Sequence, residues 1–206
     1  MVVFSVFGSV LALAANPVLR WNEEAVNATR LSRYQPPIAA LHFATLHLAI
    51  QDTVNSFDRA HTPWLVDEAA PSGADRDAAI TGAAHHVLLT LWEDAANPRN
   101  LELAYEEELA KIPPGPAREA GLAWGREVAD RILAERARHP IPPTNDTYQS
   151  REPGVWRGTP PGFRPPVAPR LGEVQPFALE SSSQFRAPPT LPVDSAAYAY
   201  ELEEIK

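Results

Sequence analysis

The chain has 206 residues, 45% of them hydrophobic, which is enough for one domain with a core of its own. Its formal net charge is -8 and it has no run of Lys or Arg. This argues against a DNA or RNA partner, because nucleic-acid binding needs clustered positive charge. The lack of cysteine excludes disulfides, thiolate zinc sites and a cysteine nucleophile.

Residues 1–15 form an apolar run that ends in Ala12-Leu13-Ala14, a small-residue pattern typical of a signal-peptidase site. No Lys or Arg precedes the run, so the segment is either a signal peptide or an ordinary first helix. It is too short to span a bilayer, and no transmembrane segment is predicted. A signal peptide would imply a periplasmic or extracellular protein, and a first helix a cytoplasmic one.

The spacing of apolar residues predicts an all-α fold, with a helical bundle domain over residues 16–139. The predicted helices cover about 21–33, 37–57, 73–93, 98–111 and 117–138. Ser72 and Asp75 have the spacing of a capping box at the start of the third helix. Prolines fit the first turns of the second and fourth helices, where a missing N–H has no cost.

The second predicted helix carries apolar residues on two faces, which predicts a central helix packed on two sides. One apolar face consists of Phe43, Leu46, Ile50, Val54 and Phe57, and the other of Leu41, Ala44 and Leu48. Two polar stripes lie between them. One stripe has His47, Gln51 and Asn55, and the other has His42, Thr45, Asp52, Thr53 and Ser56.

A proline-rich segment follows, since 13 of the 22 prolines lie between residues 140 and 192. This density excludes helix interiors and central strands, so the segment is either a linker or an ordered strap. Large apolar residues spread through it favour a strap packed on the bundle: Tyr148, Trp156, Phe163, Phe177 and Phe185. Helical spacing resumes at about Asp194 and predicts residues 193–206 as the start of a truncated helix.

The remaining candidates for metal binding or acid–base chemistry are His, Asp and Glu, and their spacing favours no site. His42 and His47 fall on different sides of their helix, and the adjacent His85 and His86 diverge. His47, or His42 with Asp52, is better explained by hydrogen-bonded links between helices. The acidic stretches around 106–108 and 201–204 indicate solvated helix faces. No catalytic, cofactor-binding or metal-binding residue is therefore assigned.

Five segments, in this order along the chain, resemble the bacterial vanadium-dependent haloperoxidases of the type 2 phosphatidic acid phosphatase superfamily. They are residues 16–22 (NPVLRWN), 40–55 (ALHFATLHLAIQDTVN), 154–161 (GVWRGTPP), 175–179 (QPFAL) and 183–186 (SQFR). The resemblance runs from about Asn16 to the last residue and includes the proline-rich segment. One departure is Gly158, where relatives usually have proline.

The resemblance implies a helical protein that holds vanadate, or phosphate in the phosphatase branch, with His, Lys and Arg residues. In relatives these groups lie in three motifs beyond the region matched here: Lys-x6-Arg-Pro, Pro-Ser-Gly-His, and Ser-Arg followed by a His. Pro71-Ser72-Gly73 lacks the histidine, and Lys111 and Arg118 have the right separation but no following proline. Both are interpreted as coincidences.

The resemblance thus implies the amino-terminal scaffold half of a haloperoxidase-like or acid-phosphatase-like enzyme, inactive alone. No cofactor is expected in this chain, and vanadate is expected only with the missing carboxy-terminal half. That half, or a second copy covering exposed apolar surface, is the expected partner. Two alternatives remain open: a stand-alone helical binding module, and a hydrolase that uses His42 or His47 with Asp52.

Overall fold

A computed structural model of the chain describes residues 16–32, 34–92, 98–143 and 152–205. The chain divides into a helical unit, Met1–Arg136, and a proline-rich unit, Ala137–Lys206, close to the predicted end of the bundle at residue 139. The alternatives predicted for residues 1–15 lie outside the described residues. None of the helices in the described segments has both the length and the apolar character that crossing a bilayer requires.

The described residues form six α-helices and no strand, which confirms the all-α prediction. Every predicted helix occurs, with ends within a few residues of those expected. The helices are α1 (Pro17–Ser32), α2 (Pro36–Asp58), α3 (Arg76–Leu91), α4 (Pro98–Ala110), α5 (Pro116–Ala137) and α6 (Ala196–Glu204).

Helix α3 lies at the centre of the helical unit and contacts α1, α2 and α4. Its buried positions surround it on all sides, which explains why its sequence is rich in alanine and has little polar character. Helix α5 also approaches α3 closely, because glycines at the contact leave room for the two backbones. The largest buried side chains of the core are Trp21, Trp92, Leu46, Leu88, Leu101 and Ile132.

The start of α3 differs from the prediction. Asp75, not Ser72, is the N-cap: its carboxylate accepts a hydrogen bond of 2.8 Å from the Ala78 N–H. The chain first makes a turn in which the Ala74 N–H donates to the Pro71 carbonyl and Gly73 has a φ of 80°. The helix therefore begins at Arg76, and the three-residue spacing of Ser72 and Asp75 is not a capping box.

Helix α2 turns one of its polar stripes, not only its apolar residues, toward the interior. Thr45, Asp52, Thr53 and Ser56 are buried, whereas Phe43, Val54 and Phe57 of the predicted main apolar face are half-buried. Buried polar side chains usually have hydrogen-bond partners, and here these lie within the helix or elsewhere in the unit, except that the Thr53 hydroxyl has none among the described residues. The Thr45 hydroxyl donates to the Leu41 carbonyl, and the Ser56 hydroxyl donates to that of Thr53 and accepts from the Trp124 indole.

The proline-rich unit consists of turns, one short 3₁₀ helix (Leu171–Glu173) and α6, whose N-cap Ser195 accepts from the Tyr198 N–H. Arg170 links its parts by binding Glu173 and the Pro143 carbonyl. Three of the aromatic residues expected to be buried anchors are exposed instead: Trp156, Phe163 and Phe185. Burial of these rings therefore does not hold the segment in place, and its packing on the bundle stays a prediction.

Candidate functional site

The Asp52 carboxylate organises the loop that follows α2. It is fully buried and accepts three backbone hydrogen bonds, from Trp64 at 2.7 Å, Leu65 at 2.8 Å and Val66 at 2.9 Å. Both oxygens of the carboxylate are therefore already occupied by backbone N–H groups. Asp52 is thus a clamp on the 64–66 segment. Its role is structural, but it secures a loop, and the link between helices that the sequence predicted for His42 with Asp52 is not formed by these two residues.

His42 lies in an aromatic cluster and not beside Asp52. Its ring makes edge contacts with Tyr34 and Trp92, at centroid distances of 4.8 and 5.1 Å, and its Nδ1 is buried without a hydrogen-bond partner. Burial lowers the pKa of His42, so the neutral ring is favoured. Ten residues along a helix separate the two side chains by about 15 Å. They therefore cannot act together as an acid–base pair.

The second polar stripe, of His47, Gln51 and Asn55, lines a surface groove of about 280 Å³ together with Val18, Ile50 and Val54. His47 Nε2 lies 3.1 Å from the side-chain oxygen of Asn22 on α1, and burial lowers the pKa of His47. The side-chain oxygen of Asn55 accepts from the His61 N–H at 2.8 Å. The His47 contact joins α1 to α2, as the structural interpretation expected, whereas Asn55 secures the chain that follows α2 and does not link helices.

His85 and His86 diverge as predicted. His85 stacks on Tyr105 at a centroid distance of 4.3 Å, and its Nε2 lies 3.4 Å from a Glu102 carboxylate oxygen on α4. His86 Nε2 lies 2.7 Å from Asp130 on α5. Burial lowers the pKa of His85, although Glu102 opposes the shift. The two histidines thus join α3 to two different neighbouring helices.

The acidic stretch at 106–108 is not wholly a solvated face, which corrects the prediction. Glu108 is buried, and its carboxylate lies 2.5 Å from Lys111 Nζ. Arg20 on α1 contacts Glu24 at 2.5 Å, Glu107 at 3.1 Å and Glu108 at 3.9 Å. Sequence reasoning missed this network, because Arg20 is distant in the chain and no local spacing reveals it. It joins α1 to α4.

The described residues of the helical unit do not fit vanadate or phosphate. An oxyanion site needs several cationic donors directed at one point and free of carboxylates. Arg20, Arg59, Arg76, Lys111 and Arg131 instead bind carboxylates. In the described segments, no three His, Asp or Glu side chains form a group suited to a metal ion.

The near-match formed by Lys111 and Arg118 also has a structural explanation. Lys111 pairs with Glu108 three residues earlier. Arg118 donates to the carbonyls of Leu109 and Ile112 at 3.4 and 3.3 Å, so it caps the end of α4. The two cations are therefore engaged by different groups, which supports the interpretation as coincidence.

The histidines give a testable pH dependence. Because burial lowers the pKa of His42, His47 and His85 in the folded state, the unfolded chain binds more protons than the folded chain below about pH 6.5. The free energy of unfolding should therefore be constant above that pH and decrease as the pH falls through it. The His42→Asn variant should reduce the slope by up to about 1.4 kcal/mol per pH unit.

Urea unfolding measured at several pH values tests this expectation. The Gln51→Ala variant is a matched control, because Gln51 lies exposed on the same helix and does not titrate in this range. Stability that rises on acidification from pH 6.5, or an equal slope in both variants, would contradict the assignment of buried neutral histidines.

The structure therefore defines an all-α bundle protein whose buried polar side chains link helices. Neither a protein-family model nor a curated protein matches the sequence. Among solved structures, the chain is similar to a bacterial vanadium-dependent iodoperoxidase, with 22% sequence identity and a TM-score of 0.69. The match covers 92% of this chain and 50% of that chain, so this chain spans about half the length of the solved protein.

At this level of identity the likeness establishes the fold. The chain has a partial haloperoxidase-like fold, which is the fold that the resemblance of the five sequence segments implied. The similarity extends over nearly the whole chain.

Proposed function

We propose that the chain is the amino-terminal scaffold half of a vanadium-dependent haloperoxidase or acid-phosphatase-like protein, and that it has no catalytic activity alone. The observation that carries this proposal is the fold match, which includes almost all of this chain but half of the solved iodoperoxidase. The contacts of the polar side chains also support it, because these side chains link helices and secure loops.

The oxyanion chemistry would then belong to the second half. Vanadate, once bound there, would supply the peroxide-activating centre, and no residue described in the helical unit takes part in holding it. The contribution of this chain is to support the second half as a rigid platform. The groove that Val18 of α1 forms with Ile50 and Val54 of α2 is the surface we assign to that contact, since Val18 and Val54 are only half-buried by the described residues.

The hydrolase alternative is less well supported. It needs a histidine and Asp52 to act on one substrate, but Asp52 is fully buried and accepts three backbone N–H groups. His42 is enclosed by aromatic rings, and His47 contacts Asn22. A general base must reach the proton that it removes, and none of these groups is directed at a common point.

The scaffold proposal predicts that the purified chain neither oxidises halide with vanadate and peroxide nor hydrolyses phosphate esters above a blank. A polypeptide that carries the three oxyanion motifs, supplied in cis or in trans, should create vanadate binding. Isothermal titration with vanadate measures this directly. The Val54→Asp variant should weaken the association in trans, and Leu19→Asp, at an exposed position on α1, is the matched control.

Turnover by the chain alone that disappears in a His47→Ala variant would overturn the scaffold proposal in favour of the hydrolase. If the reunited protein folds but binds neither vanadate nor phosphate, the functional assignment is wrong even though the fold assignment holds.

A further inference from the structure

The proline-rich unit has almost no core of its own. Among its described residues, Val174 is the one hydrophobic side chain that is buried, while a dozen large ones are exposed. A unit of this size needs buried apolar area to be stable, and exposed apolar patches usually mark an interface. A second surface is therefore needed to cover these side chains.

One part of this surface is a loop, residues 156–164, which we name the aromatic loop. The Phe163 N–H donates to the Thr159 carbonyl at 2.9 Å, and a Cβ atom at Gly158 would lie 2.9 Å from the Phe163 carbonyl. Phe163 has a φ of 45°, a strained conformation for a bulky residue, yet its ring is 66% exposed. The loop thus holds its aromatic side chains outward in a fixed arrangement.

The aromatic loop also carries positive charge around a concavity. Trp156, Arg157, Phe163 and Arg164 line a pocket of about 370 Å³. Neither arginine has a carboxylate partner among the described residues, unlike Arg170 in the same unit. An aromatic pocket with two unpaired guanidinium groups is suited to a ring flanked by carboxylates.

Helix α6 carries the matching groups, an aromatic ring flanked by carboxylates. Tyr200, Glu201 and Glu204 project from one side of the helix, with Ile205 just beyond its end. Tyr200 is 75% exposed and Ile205 is 82% exposed. The chain leading into the aromatic loop and the chain leading into α6 lie close together, since a Cβ atom at Gly154 would lie 3.2 Å from Val193.

We propose that two copies of the chain associate through the proline-rich unit, with Tyr200 of each copy in the aromatic pocket of the other. Glu201 and Glu204 then pair with Arg157 and Arg164 across the interface. Two complementary surfaces on one unit are what a two-fold symmetric dimer requires, because each contact then occurs twice. This proposal is independent of the scaffold function, since it uses neither the groove on α2 nor any oxyanion chemistry.

Sedimentation velocity on the full chain tests the dimer. The wild-type protein should show a concentration-dependent dimer that weakens in high salt. The Trp156→Ala/Phe163→Ala double variant should raise the dissociation constant at least about tenfold, as expected for aromatic residues that fill an interface pocket. A Leu19→Ala/Leu103→Ala double variant, with both positions exposed in the helical unit, should leave it unchanged.

Charge reversal gives the sharper test. Arg157→Glu/Arg164→Glu and Glu201→Lys/Glu204→Lys should each make the protein monomeric, because like charges then face each other. Mixing the two variants should restore a dimer, since both contacts of the mixed pair are again complementary. Restoration also shows that both variants are folded. A monomeric wild type, or self-association that neither reversal alters, would overturn the proposal.

Discussion

Replacing Gly125 by alanine is expected to destabilise the helical unit by about 3 kcal/mol, although alanine favours a helix by about 1 kcal/mol over glycine. A Cβ atom at this position would lie 1.9 Å from the Ala79 carbonyl oxygen. That oxygen belongs to the backbone of α3 and cannot rotate away, so the two helices must separate. Urea unfolding monitored by circular dichroism measures the effect.

The Ala123→Gly variant in the same helix provides the matched control. Ala123 is exposed, so its replacement should cost only the difference in helix propensity, about 1 kcal/mol. Within a helix, replacing alanine by glycine usually costs more stability than replacing glycine by alanine. Here we expect the reverse, with Gly125→Ala more destabilising than Ala123→Gly. A Gly125→Ala variant as stable as wild type would show that α3 and α5 are not in backbone contact.

The glycine contact illustrates what the sequence could and could not reveal. Helical spacing predicted α5 and placed Ala117, Ala120, Gly121, Trp124, Val128 and Ile132 on one face. The structure buries the last four, whereas Ala120 is half-buried and Ala117 is exposed. The distance between two helices, however, depends on pairs of residues far apart in the chain. Gly82, Gly121 and Gly125 each face a backbone carbonyl of the opposite helix, and a single sequence does not show this pairing.

The orientation of α2 could be predicted only in part. Periodicity correctly indicated a helix packed on more than one side, but it treated Thr45, Asp52 and Ser56 as polar stripes between the apolar faces. The burial of Asp52 and Ser56 depends on partners elsewhere, namely the N–H groups that follow residue 63 and the Trp124 indole, whereas Thr45 uses the Leu41 carbonyl of its own helix. A hydrophobic pattern records the polarity of a side chain and not whether its hydrogen bonds are satisfied.

In the proline-rich segment, side chains that were expected to be buried are exposed. Large aromatic residues there were expected to be buried, because such residues usually supply core area. Phe185 is instead 79% exposed, and Phe163 lies in a strained loop that displays its ring. Proline and glycine spacing indicates where a chain turns, whereas the side to which each ring points depends on the closed geometry of the loop.

Removing the Asp52 carboxylate is also expected to lower the free energy of unfolding by a large amount. The Asp52→Ala variant should lose about 3 kcal/mol of stability, since three backbone N–H groups, of Trp64, Leu65 and the buried Val66, lose their acceptor. Asp52→Asn should lose about half as much, because its single oxygen can still accept from Leu65 and Val66. In urea unfolding, the wild-type protein should therefore be the most stable, Asp52→Asn less stable and Asp52→Ala the least stable.

Hydrogen exchange locates the effect, because the amides of residues 64–66 should exchange faster in Asp52→Asn, while those at the centre of α3 change less. Asp58→Ala is the control on the same helix: its exposed carboxylate is 3.4 Å from Arg76, and its loss should cost about 0.5 kcal/mol or less. If Asp52 is instead an acid–base residue of a hydrolase, its replacement should abolish turnover and leave the stability unchanged. If Asp52→Asn is as stable as wild type and the amides of residues 64–66 stay protected, Asp52 does not hold this segment in place. That result would favour the acid–base role of Asp52 instead.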